Sequence, residues 1–105
     1  MLSELLGILD NLASGLSWTV IVCPNSKVCL EAGKLLAAVL PHHSKFTGRT
    51  AVLPDGRKIS IVAQEDDWFP EDSDFQLGTL GWTVKDDTKG LQKWQTKSSG
   101  LIRAR

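Results

Sequence analysis

Six carboxylates, Glu65, Asp66, Asp67, Glu71, Asp72 and Asp74, fall within residues 65–74. Clustered carboxylates supply the oxygen ligands that a divalent cation takes. Here, however, the central glycine and closing glutamate of a calcium loop are missing from the required positions. A solvated acidic loop is the simplest reading. A second is an electrostatic patch that docks a basic partner or imitates a phosphate backbone. Trp68 and Phe69 lie inside the same run. An aromatic pair surrounded by acids is hard to bury, and at interfaces such residues serve as anchors. Glu65, Asp66, Asp67, Trp68, Phe69, Glu71, Asp72 and Asp74 are therefore the expected partner-binding surface.

The opposite charge collects downstream, at Lys85, Lys89, Lys93, Lys97, Arg103 and Arg105. The lysines from 85 to 97 recur every four residues, as on one solvated helix face. The alternative is a single-stranded nucleic-acid surface, with Lys89, Lys93 and Lys97 against phosphates and Trp94 stacked on a base. Other chemistry has little support. His42-His43 follows a helix end, where the dipole favours the protonated ring, but no partner residues are identifiable. Cys23 and Cys29 match no zinc or redox spacing and are expected to be reduced core thiols. There is no Gly-x-Ser-x-Gly elbow and no His-Glu-x-x-His pair. No cofactor or metal site is expected.

The elements that would hold these residues are clearer. Leu2, Leu5, Leu6, Leu9, Leu12 and Leu16 follow helical spacing, with Ser3 as N-cap and an end near Ser14-Gly15. Trp18 to Cys23 is apolar on both faces, the pattern of a central or parallel strand with a helix over each face. Pro24-Asn25-Ser26 turns the chain, and Asn25 or Ser26 caps a helix whose stripe is Val28, Ala32, Leu35, Leu36, Val39 and Leu40. Ala32 and Gly33 would let that helix approach the sheet closely, and Pro41 ends it. Residues 42–48 read as a polar loop. Asp55-Gly56 between the β-prone runs 49–53 and 57–63 signals a protruding hairpin. Residues 80–85 read as a short strand, 90–96 as a short turn or helix around Leu91 and Trp94, and Gly100 onward as a frayed end. Trp18 and Trp82 are expected to pack in the core.

The totals agree with one α/β domain: a short, partly parallel sheet, flanking helices and a β-hairpin over residues 1–98, then a flexible tail at 99–105. The 105 residues carry twelve basic and twelve acidic side chains, so net charge does not favour nucleic acid or membrane as partner. No apolar stretch is long enough to cross a bilayer. With no leader-like segment, a cytoplasmic setting is expected.

In their order these parts resemble the ATPase core of phage large terminase subunits and related P-loop helicases, in the segment after the phosphate loop. Cys23-Pro24-Asn25 is similar to that family's strand-ending turn, and Leu53-Pro54-Asp55-Gly56 to its hairpin. Residues 63–67 resemble its polar loop, Leu77-Gly78 its leucine-glycine element, and residues 82–87 its strand ending in Asp-Glu. The resemblance spans most of residues 1–90 and implies a nucleotide-fold scaffold from phage or mobile-element machinery. Two departures limit what it implies. The Gly-x-x-x-x-Gly-Lys loop that cradles phosphates, which would stand before Leu2, is not in the sequence, and the acidic pair reads Asp86-Asp87. Phosphoryl transfer depends on that cradle, so ATP hydrolysis is not expected. The expected function is non-enzymatic: an accessory or inhibitory factor that binds a protein partner through the acidic-aromatic loop.

Overall fold

A computed structural model describes residues 2–10, 18–40, 44–47, 49–54, 56–66, 75–97 and 100–102. Among these residues nine elements follow one another: α1 (Leu2–Asp10), β1 (Trp18–Cys23), α2 (Ser26–Val39), β2 (Lys45–Thr47), β3 (Thr50–Val52), β4 (Lys58–Ala63), β5 (Gln76–Thr79), α3 (Leu91–Lys97) and β6 (Gly100–Ile102). The strands form one mixed sheet in the order β2-β3-β4-β1-β5-β6. β1 pairs in parallel with β4, from Trp18↔Lys58 to Cys23↔Ala63, and with β5, from Thr19↔Gln76 to Val22↔Thr79. It is the central strand that its two-faced apolar pattern predicts.

The alternation along β1 sorts the core into two layers. Ile21 and Cys23 join Ile59 and Ile61 of β4 beneath Leu5 and Ile8 of α1 and Ala32 and Leu36 of α2. Val20 and Val22 point the other way, with Val62, Phe75, Leu77 and the indole of Trp94 in α3. A parallel pair requires a crossover connection. α2 begins the one from β1 to β4, and α3 ends the one from β5 to β6, on opposite faces of the sheet.

Local chemistry sets the boundaries. Asn25, at φ −154° and ψ 172°, caps α2 by accepting a 3.0 Å hydrogen bond on Oδ1 from the Val28 amide. The β3–β4 turn closes with the Leu53 amide on the Arg57 carbonyl at 2.8 Å, and Gly56 adopts φ +93°, open to glycine at no steric cost. Among the described residues no helix is long and apolar enough to cross a membrane.

Several expectations are corrected. The hairpin does not protrude: β4 lies between β3 and β1, inside the sheet. Lys45–Thr47, expected as loop, is a strand paired to β3 with Phe46 opposite Ala51. Residues 80–85 are not a strand. β5 stops at Thr79, and the Asp86 carboxylate accepts from the Thr83 amide (2.7 Å) and hydroxyl (3.2 Å), giving the backbone a local alternative to a ladder. Gly100–Ile102, expected to fray, pairs with β5 from Gln76↔Gly100 to Gly78↔Ile102. Ser3 lies inside α1 rather than capping it. The expected helix end at Ser14-Gly15, the prolyl stop at Pro41, the His42-His43 pair and residues 103–105 lie outside the described residues.

Candidate functional site: an apolar groove beside α2

In a doubly wound sheet, ligands occupy the crevice at the carboxyl ends of the strands, where successive crossovers change face. In this chain that place, between the ends of β1 and β5, is filled by protein. The Trp82 indole donates to the Val22 carbonyl at 2.8 Å. Gln64 takes its amide to the Cys23 carbonyl at 2.8 Å and its side-chain nitrogen to the carbonyls of Pro24 (2.9 Å) and Asp87 (2.7 Å). The Trp94 indole closes the set with a 3.3 Å bond to the Gln64 carbonyl. Gln64 thus ties the turn after β1 to the loop before α3.

Open space lies instead on the α2 side. A groove of about 450 Å³ runs between α2, β2 and β4, lined by apolar or small side chains including Cys29, Leu30, Gly33, Ala37, Phe46 and Ile61. Leu30 and Phe46 are 65% and 48% exposed on its borders, although both are large and apolar. Gly33 was expected to bring α2 close to the sheet. A Cβ built there meets nothing within 4 Å, so Gly33 widens the groove rather than tightening a contact. Lys34 and Arg49 supply the cationic lining. Arg49 forms an ion pair with Asp66 at 3.1 Å, and the same carboxylate oxygen accepts the Ala63 amide at 2.9 Å, closing the turn after β4.

The first two residues of the expected acidic surface therefore stand beside this groove. Glu65 is exposed, and Asp66 is half-buried and already engaged by Arg49. Asp67, Trp68, Phe69, Glu71, Asp72 and Asp74 lie outside the described residues. Among those described, no three His, Cys, Asp or Glu side chains gather into a possible metal site.

The alternative nucleic-acid surface is corrected at its central residue. Trp94 is fully buried in the second core layer, because the short α3 must place a large side chain on the sheet to cover Val20, Val22 and Val62. It has no face left for a base. Lys93 lies along it, with Nζ 5.8 Å from the ring centroid. Lys89 is exposed, its amide bonded to Asp87 Oδ1 at 2.9 Å. Lys97 ends α3, and its side chain lies outside the described residues.

Cys23 and Cys29, six positions apart in sequence, meet through the turn. Cys23 is buried under the first turn of α2, and Cys29 is half-buried on the groove wall. Hydrogen bonding between them, with Cys23 as donor, holds the Cys29 thiol below its ordinary range against burial and the Asp66 and Glu65 carboxylates, the Arg49 charge assisting. The same bond, with burial, pushes Cys23 far up. The spacing alone did not signal this pair. Leu30 and Phe46 were equally silent, one lying off the apolar stripe of α2 and the other in a stretch read as loop.

Comparison with known proteins finds no matching family, no similar curated protein and no similar solved structure.

Proposed function

We propose that the chain is a non-enzymatic binding domain that captures a segment of a protein partner in the groove between α2 and β2. The observation that carries this reading is the continuous apolar lining flanked by exposed Leu30 and Phe46, an arrangement suited to apolar anchors of an amphipathic segment. Lys34 favours a carboxylate on that segment. The first acids of the 65–74 run, Glu65 and Asp66, stand beside the Arg49 wall of the groove, and the acids of the run would contact flanking basic residues of the partner. A cytoplasmic setting and a phage or mobile-element context belong to this proposal. The latter, like the kinship with terminase and helicase ATPases, is supported by sequence resemblance alone.

Affinity capture from the native host, repeated with Leu30→Glu, Phe46→Glu and the pair Asp67→Asn/Asp72→Asn, tests the reading. A partner held by the wild type is expected to be lost from the two groove variants at unchanged thermal stability, and weakened by the loop variant. If both groove variants retain every captured partner, the groove is not the binding surface.

A further inference from the structure

The turn from β1 into α2 brings two thiols together, Cys23 inside the core cluster and Cys29 packed against that cluster on the groove wall, and nothing in the binding role uses either. We propose that Cys29 is a peroxide-reactive thiol reached through the groove, and that Cys23 resolves its oxidised form into an intramolecular disulfide. Three observations converge on this assignment. Cys29 lies in the first turn of a long helix, where amide dipoles favour a thiolate. It is half-buried and lines an open groove, so a small oxidant reaches it. Cys23, at the end of β1, is buried in the core cluster against which Cys29 packs.

The chemistry balances with hydrogen peroxide as the named oxidant. The Cys29 thiolate attacks one peroxide oxygen, an S–O bond forms as the O–O bond breaks, and the departing hydroxide takes up a proton to become water. The sulfur is oxidised to sulfenic acid as the peroxide is reduced. Cys23 then loses its proton as its sulfur attacks Cys29 Sγ. The S–S bond forms, the S–O bond breaks, and the hydroxyl leaves with the Cys23 proton as a second water. Closing the bond brings the sulfurs to about 2.05 Å and locks the first turn of α2 to the end of β1. The proposal shares the groove wall with the binding role but does not rest on it, since its readout needs no partner.

The test treats the full chain with hydrogen peroxide and follows free thiols and peptide masses without reduction. The wild type is expected to lose both thiols together and yield a linked 23–29 peptide. Cys23→Ser is expected to stop at a sulfenic acid on Cys29, trapped by dimedone. Cys29→Ser is expected to leave Cys23 at least about tenfold less reactive, in line with the dependence of rate on thiolate character and access. Alkylation of the native wild type by iodoacetamide gives a variant-free readout, in which Cys29 should be labelled well before Cys23. Equal labelling of the two thiols, or oxidation of the wild type without the linked peptide, overturns the proposal.

Discussion

At the scale of single residues, the two sulfurs divide one titration unequally. The folded state favours a thiolate at Cys29, so its contribution to stability is present above the ordinary value of 9.0 and is lost as pH falls through the depressed folded value. Cys23 works in the opposite sense. Its neutral form is favoured, and the stability this lends is present below 9.0 and lost as pH rises. Thiolate absorbance in the native protein should therefore appear first from Cys29, at a pH below 9.0, and Cys23→Ala should move that onset upward by removing the donor. If the onset stays put, hydrogen bonding between the thiols is not the cause. Gly90 makes a second prediction. A Cβ there would sit 2.9 Å from the Gln64 carbonyl oxygen and 3.1 Å from its side-chain oxygen, so a backbone must move. Gly90→Ala is expected to cost about 1–3 kcal/mol in urea unfolding, as overpacking does.

At the scale of elements, α2 is held by a cap and left loose in its middle. Asn25→Ala should lower stability by about 1 kcal/mol through loss of the bond to the Val28 amide. Gly33→Ala should raise it by about 0.5–1 kcal/mol, since a helix-interior glycine gains from a methyl that meets no obstacle. Gly33→Leu should fill the groove and abolish partner capture while circular dichroism is unchanged. β1, α2 and the β3–β4 hairpin were legible in the sequence because each carries its own local chemistry: an unbroken apolar run, an asparagine cap, an Asp-Gly turn. β2 and β6 were not. Three-residue strands have no period to read, and what makes them strands is the neighbour they pair with. The acidic run drew attention by composition, whereas the groove is made by one glycine, one edge-strand phenylalanine and one off-stripe leucine that only the fold brings together.

At the scale of the whole molecule, among the described residues a thin sheet is covered on one face by two helices and on the other by a single short one. α3 compensates with one large residue, and Trp94→Ala should cost about 3–5 kcal/mol, the usual range for emptying a buried aromatic site. Loss of much less would mean that Trp82 and Leu91, which pack against the same layer, collapse into the space. The position of β1 at the centre of the sheet also governs how the chain reaches its native state. Its residues leave the ribosome before either of the strands that flank it, β4 and β5, both of which follow it by many residues. Until they arrive, an extended apolar segment waits with both backbone edges unpaired. Pairings of such long sequence separation make folding slow, so this chain's exposure to aggregation or chaperone capture is greatest during synthesis and concentrated in Trp18–Cys23.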